Sequence, residues 1–184
     1  IGNGVKTINE YAFYRCKKLR TVKFGSGLQK IGPYTFSECE SIQNITCPSN
    51  LKSIGNYAFK WCYGLKNISF NGSLEEIGKG AFNNCDSLEK VVIPGSVKKI
   101  YSGYYNSDPT FGYCDNLKTI VIGNGLEYID NSTFAGNTLL ESVTIGNGVK
   151  TINEYAFYGC EKLRTVYFLG NAPSINNKAF YNTS

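Results

Sequence analysis

The chain has 184 residues, 42% of them hydrophobic and 14% aromatic, which is enough apolar material for a folded domain and excludes a disordered chain. Its 19 basic and 14 acidic residues are interspersed, so the net charge of +5 indicates a mixed, solvated surface and not a nucleic-acid-binding arm. No apolar stretch approaches the ~20 residues of a membrane-spanning helix, and no secretory leader is visible, so no membrane insertion is expected in this segment.

A 23-residue spacing of phenylalanines organises the chain. The interval widens to 29 residues only once, and the anchors are Phe13, Phe36, Phe59, Phe82, Phe111, Phe134, Phe157 and Phe180. About seven full repeats and a partial one therefore form a single domain over residues 1–184, with a six-residue insertion near 101–110. Because methionine is absent and both ends cut across the repeat, we expect a fragment of a longer array.

The first repeat predicts a short strand followed by a turn. Leu19, Val22 and Phe24 have the spacing of a half-buried strand, in which residues two apart share a face, so Lys23 should face outward. A Gly-Ser-Gly turn at 25–27 then reverses the chain.

The rest of the repeat is clearest in a later copy, where Val149 and Ile152 predict a second short strand on the opposite wall. The segment 153–157 predicts a single helical or 3-10 turn whose Phe157 fills the interior. No repeat can bury its apolar face alone, so neighbours must stack. The expected fold is an α/β repeat solenoid, rich in β-structure, with parallel strand ladders and short helical or 3-10 turns.

A family resemblance rests on Ala156, Phe157 and Cys160, followed by Leu163 and Val166. This pattern resembles the BspA-type (treponemal) class of leucine-rich repeats, and the resemblance extends over essentially the whole chain. It implies a right-handed leucine-rich repeat solenoid in a secreted or surface-exposed protein of a bacterium or mucosal protist. It also implies a recognition or adhesion module that binds host or microbial surface proteins or glycans.

Six of the seven cysteines occupy one repeat position and should form a column along the interior. Asn137 takes this position in one repeat, and the cysteines are Cys16, Cys39, Cys62, Cys85, Cys114 and Cys160. Parallel side chains in a ladder point the same way, which disfavours disulfides. With no C-x-x-C pair and no histidine, a metal site is not expected either. We expect buried free thiols and no cofactor.

Catalytic groups are not apparent in the sequence. Histidine is absent, which removes the commonest general base and any Ser-His or Cys-His pair. Carboxylates such as Glu75 and Glu76 lie at positions that are polar in other repeats, and they have no convergent partner. We therefore expect that the protein is not an enzyme.

Ligand contacts are expected where the repeat is broken. The insertion carries Tyr101, Tyr104 and Tyr105 among small turn residues, a composition typical of binding loops, although the rings could simply pack against the solenoid wall. Trp61 lies two residues after its phenylalanine, and Tyr113 occupies the same column. The sequence leaves two alternatives for Trp61: an exposed interface anchor or a partly packed side chain.

The outward strand positions should form two columns on the concave face. One column runs from Lys23 to Tyr167 and the other from Thr21 to Thr165, and both are mostly small, polar and uncharged. They suit protein or glycan contacts and disfavour a polyanion such as nucleic acid, although cross-strand packing alone would also explain them. The alternatives to a recognition module are a structural spacer and an intracellular scaffold.

Overall fold

The structure, a computed structural model, describes residues 1–70, 72–103 and 108–183. In these residues the chain forms a parallel-strand β-solenoid of about seven coils. Most coils contribute one strand to each of two walls, and turns connect the walls. The predicted solenoid and its parallel ladders are thereby confirmed.

One wall, termed the short-strand wall, consists of two-residue strands. Its isoleucines pair in register, Ile8 with Ile31 and Ile31 with Ile54, and their side chains are buried between the walls. The strands, numbered in chain order, are β1 (Thr7–Ile8), β2 (Lys30–Ile31), β4 (Ser53–Ile54), β6 (Glu76–Ile77), β8 (Lys99–Ile100), β10 (Tyr128–Ile129), β12 (Thr151–Ile152) and β14 (Ser174–Ile175). They form a five-stranded sheet that ends at β8 and a three-stranded sheet that begins at β10.

In the opposite wall, termed the long-strand wall, much of the predicted outward column that runs to Tyr167 is paired in register. Val92 pairs with Val121, Val121 with Thr144, and Thr144 with Tyr167. Alternate side chains face the interior, as the period of two predicts. The strands are β3 (Asn44–Thr46), β5 (Asn67–Ser69), β7 (Lys90–Ile93), β9 (Thr119–Ile122), β11 (Ser142–Ile145) and β13 (Thr165–Phe168).

The segment after each short strand, termed the phenylalanine turn, is not helical in the described residues, so the predicted helical or 3-10 turn is not confirmed. In the first coil the N–H groups of Ala12 and Tyr14 donate to carbonyls three residues earlier, whereas those of Tyr11, Phe13 and Arg15 donate to the next coil. A helix would keep these bonds within the segment. Left-handed φ angles of 56° at Tyr11 and 59° at Arg15 accompany this alternation, and the turn becomes a third ladder between coils.

The phenylalanine rings form a continuous stack through the interior, with successive ring centroids 5.0–5.8 Å apart. Burial of such a ring contributes ~2–3 kcal/mol, and each aromatic pair adds ~0.5–1.5 kcal/mol. Phe82 and Phe111 flank the insertion, yet their rings are 5.0 Å apart. The insertion therefore interrupts only the short-strand wall, between β8 and β10, and leaves the core intact.

Candidate functional site

The position two residues after each phenylalanine has a left-handed backbone. Along this left-handed column φ lies between 54° and 77°, and its members are Arg15, Glu38, Trp61, Asn84, Tyr113, Gly136, Gly159 and Asn182. Glycine adopts this conformation readily, whereas other residues are strained by ~1–2 kcal/mol. Trp61 and Tyr113 thus occupy positions where two other coils have glycine. The fold does not require a large aromatic side chain there.

Trp61 lines a surface cleft of about 280 Å³, termed the Trp61 cleft. Tyr63, 42% exposed, provides a second ring. The Trp61 side chain is partly buried, and the Lys60 ammonium lies 4.3 Å from its ring centroid. The remaining lining residues are Arg15, Glu38 and Glu40. Trp61 is therefore partly packed against the chain and still accessible from the cleft.

Both carboxylates of the Trp61 cleft are paired within the chain. Glu38 accepts hydrogen bonds from the Tyr14 hydroxyl at 2.8 Å and from Arg15 Nε at 2.9 Å, and Glu40 pairs with Lys17 at 2.8 Å. Burial alone would raise the pKa of Glu38, but the hydrogen bonds from Tyr14 and Arg15 and the charge of Arg15 hold it below its usual value. The cleft consequently offers a ligand aromatic surface and little net charge.

Tyr101 begins the insertion and is held in place through its backbone. Its N–H donates to the carbonyl of Ile77 at 2.9 Å, and its carbonyl accepts a hydrogen bond from the Thr110 hydroxyl. The ring is 37% exposed, with the Lys99 ammonium 4.3 Å from its centroid. The other predicted contacts of the insertion, Tyr104 and Tyr105, lie outside the described residues.

Asp108 ties the end of the insertion to two earlier coils. Its carboxylate lies 2.6 Å from the ammonium of Lys60 and 3.6 Å from that of Lys79, and it accepts a hydrogen bond from the Tyr57 hydroxyl at 3.2 Å. Burial would raise the pKa of Asp108, but the hydrogen bond and charge of Lys60, with Tyr57 and Lys79, lower it below its usual value. The ion pairs fix this end of the insertion next to the coil that carries Trp61.

The other predicted contact residues are exposed but do not line the Trp61 cleft. Tyr113 is 38% exposed, and its ring lies against the next coil, where a Cβ atom on Gly136 would be 2.4 Å from it. Lys23 is exposed near the first coil's end of the long-strand wall, and Tyr167, 58% exposed, lies on β13 at the other end. The predicted residues that the structure describes thus fall on separate surfaces and form no single site.

The predicted interior column of free thiols is present from the second coil onward. The thiol of Cys62 donates to the carbonyl of Phe36 at 3.2 Å, and that of Cys160 donates to Phe134 at 3.4 Å. Burial raises the pKa of the Cys160 thiol to about 12. Each thiol therefore connects two coils and is held in its unreactive, protonated form; the same contact is made by Cys39, Cys85 and Cys114.

Two members of the cysteine column differ from the rest. Cys16, in the first described coil, is exposed, unlike the buried cysteines of the column. Asn137 is buried, and its amide nitrogen donates to the carbonyls of Phe111 at 2.8 Å and Phe134 at 2.7 Å. Its amide oxygen accepts the N–H of Cys114 at 3.0 Å, so the asparagine replaces the thiol contact and adds two hydrogen bonds.

Residues 1–70, 72–103 and 108–183 contain neither a metal-binding cluster nor a membrane-spanning helix. No group of three or more acidic, cysteine or histidine side chains there is arranged to hold a metal ion. That part of the chain also has no helix with the length and apolar character needed to cross a bilayer.

Sequence reasoning missed Tyr63 and Asp108. Tyr63 occupies a repeat position that is Glu40 one coil earlier and Asp86 one coil later. Trp61 was identified because it is an aromatic residue in a polar column. Tyr63 has the same property and could have been identified in the same way. Asp108 has no such signal, because it lies in the irregular insertion and Lys60 is 48 residues away.

Stacked 23-residue coils with two parallel ladders and a phenylalanine core define a leucine-rich repeat solenoid. The chain belongs to the BspA-type leucine-rich repeat family, whose repeat region matches in six copies over residues 1–110 and 107–184. No curated protein matches the chain by sequence.

Three solved structures are similar to this one. A leucine-rich repeat protein from Bacteroides ovatus ATCC 8483 is 28% identical with a TM-score of 0.84 over 98% of this chain and 45% of its own. The T. pallidum leucine-rich repeat protein is 28% identical with a TM-score of 0.75 over 87% of this chain and 72% of its own. A protein from Eubacterium ventriosum ATCC 27560 shares the fold at 17% identity, with a TM-score of 0.68 over 99% and 69% of the two chains. The chain thus spans less than half the length of the Bacteroides protein.

Proposed function

We propose that the chain is a non-catalytic recognition module, secreted or displayed on a cell surface, that binds a protein or glycan through the Trp61 cleft. One observation carries the proposal: a solvent-accessible tryptophan lines a surface cleft beside the exposed Tyr63, at a repeat position where two other coils have only glycine.

The geometry of the Trp61 cleft supports binding. The backbone of Trp61 is fixed by its N–H, which donates to the carbonyl of Asn83 in the next coil at 2.9 Å. Its ring is held by Lys60 and stands beside the exposed Tyr63. Tryptophan, tyrosine and arginine are enriched among residues that dominate binding energy, and a side chain already fixed before binding loses less entropy.

The test uses the substitution Trp61→Gly, because glycine suits a left-handed backbone and the fold should survive. The matched control is Asn84→Gly, which changes the same column one coil later but does not line the cleft. Both variants and the unchanged chain are applied to an array of microbial and host surface proteins and glycans. We expect Trp61→Gly to lose partners that the other two chains retain. A structural spacer would retain no partner in any form, and equal binding by all three chains would exclude the Trp61 cleft.

A further inference from the structure

A groove crosses the short-strand wall and ends at Tyr101; it is termed the short-strand groove. It consists of two depressions of about 330 and 420 Å³ that share Lys30 and Pro33. The first reaches Tyr101 and the second reaches β1. With strands ~4.8 Å apart, the groove is ~19 Å long, which suits an extended ligand.

The depth of the groove follows from the stacking of the coils. A Cβ atom on Gly78 would lie 2.5 Å from the backbone nitrogen of Asn56, and one on Gly55 would lie 2.7 Å from the carbonyl carbon of Gly32. Glycine is thus required for close packing at these positions. Packing explains the glycines at the floor of the groove, whereas the polar and aromatic side chains around them indicate a ligand.

The charged side chains of the groove are not used to hold the fold together. Across the described residues, Lys30, Glu76 and Glu10 make no ion pair, whereas other charges on the surface are paired between coils. Lys99 pairs in register with Glu76, yet its ammonium lies against the ring of Tyr101. Lys30, Glu10 and Glu76 line the groove, and Lys99 lies against Tyr101 at its end, so these four charges balance.

The end wall of the groove is a fixed aromatic ring. The N–H of Tyr101 donates to Ile77 and its carbonyl accepts from Thr110, so the backbone that carries the ring is fixed. Ser53 and Asn56 line the same depression, and the amide oxygen of Asn56 is already bonded to the N–H of Lys79 at 3.0 Å. Hydrogen-bond donors and acceptors therefore flank the flat apolar ring of Tyr101.

We infer that the short-strand groove binds a neutral linear oligosaccharide. Sugar hydroxyls both donate and accept, which matches Lys30, Ser53 and Glu76, and the C–H face of a pyranose packs against the face of a ring such as Tyr101. This inference rests on the proposed recognition function and names a ligand class and a second surface for it.

Other classes of ligand fit the groove less well. A polyanion requires an excess of basic side chains, whereas the lining of this groove has one lysine and two glutamates. An extended peptide binds to a free sheet edge or places its side chains in apolar pockets. The groove lies on a sheet face whose inner strands are paired on both sides, and its isoleucines point into the core.

The test is calorimetric titration of the chain with four neutral probes: maltohexaose, cellohexaose, laminarihexaose and chitohexaose. A heparin hexasaccharide and a mixture of random decapeptides represent the competing classes. We expect at least one neutral probe to bind, and Tyr101→Ala and Glu76→Gln each to weaken it by at least about tenfold, as for the loss of an anchoring contact. Tyr128→Ala is the matched control, since Tyr128 is 38% exposed on β10 in the other short-strand sheet. All variants should have the same melting temperature as the unchanged chain.

The inference is overturned if no neutral probe binds, if only heparin or peptide binds, or if Tyr101→Ala and Glu76→Gln leave sugar binding intact. Trp61→Gly, titrated in parallel, separates this result from the proposed function. Sugar binding that is lost in Trp61→Gly but kept in Tyr101→Ala would retain the recognition function and refute the groove. Sugar binding that depends on Tyr101 alone, without any partner on the array, would support the groove and refute the Trp61 cleft.

Discussion

The Lys60 ammonium lies 2.6 Å from the Asp108 carboxylate, although the two residues are 48 positions apart in the chain. The same ammonium lies 4.3 Å from the ring centroid of Trp61. One lysine thus contacts both the end of the insertion and the Trp61 cleft. The two features that break the repeat are coupled through this side chain.

Replacing the carboxylate with an amide in Asp108→Asn should destabilise the fold by about 1–2 kcal/mol near neutral pH, between the values for exposed and buried ion pairs. Because the folded-state pKa of Asp108 is lowered, its contribution is present above the unfolded pKa of about 3.9 and is lost as the pH falls through the folded value. Urea unfolding at neutral and acidic pH measures the difference. Glu127→Gln, which breaks the exposed pair with Lys150, is the control and should cause no measurable change. An equal loss at both pH values in Asp108→Asn would contradict this account.

Asp86 should show the opposite pH dependence. Burial, with a smaller effect of the nearby Asp115 charge, raises the pKa of Asp86 to about 6. The folded state therefore holds this proton more tightly than the unfolded state, and stability is lost as the pH rises from about 4 to about 6. Asp86→Asn should be more stable than the unchanged chain at neutral pH, by up to about 1 kcal/mol after solvent screening, and equally stable near pH 4. Lower stability of the variant at neutral pH would count against this interpretation.

The thiols should differ sharply in reactivity. Cys16 is exposed, whereas the other six cysteines are buried. Burial raises the pKa of the Cys47 and Cys114 thiols to about 12, so little thiolate is available near neutral pH. Iodoacetamide should modify only Cys16 in the folded chain and all seven cysteines in denaturant, as read by peptide mass spectrometry. Rapid modification of the buried column in the folded state would refute the packing described.

Asn137 provides a test of the thiol column. Asn137→Ala leaves the Phe111 carbonyl and the Cys114 N–H without their partners, and each buried unsatisfied group costs about 1–3 kcal/mol. Asn137→Cys should be less destabilising, because a thiol at this position in other coils donates to the equivalent carbonyl. Denaturant unfolding of both variants makes the comparison. Equal destabilisation would mean that the thiol contact contributes nothing.

Much of the fold could be predicted from periodicity, because every coil faces the same packing problem. The recurrence of Phe59 and Phe82 at 23 residues predicted a stacked core, and the alternation at Val22 and Lys23 predicted which side chains face outward. The phenylalanine turn could not be predicted, since its conformation depends on hydrogen bonds to the next coil, as from Phe13 to Thr35, and not on local propensity.

The candidate site was less predictable than the fold. Trp61 and Tyr101 could be found because they break a regular pattern. The groove that ends at Tyr101 could not, because it arises from the stacking of several coils around Lys30 and Glu76. The exposure of Cys16 was not predictable either, because the repeat pattern places it in the same column as the buried cysteines.

In the function proposed here, the repeated interior residues build the solenoid, and Trp61, which departs from the repeat, binds the partner. The most direct test of this function is the melting temperature and partner binding of Trp61→Gly measured on the same sample, beside Asn84→Gly. Relief of the left-handed strain should offset the lost contact with Lys60, so we expect a melting temperature within about 4 °C of the unchanged chain. Binding should fall by at least about tenfold in Trp61→Gly alone. A folded Trp61→Gly variant that binds as tightly as the unchanged chain would contradict the claim.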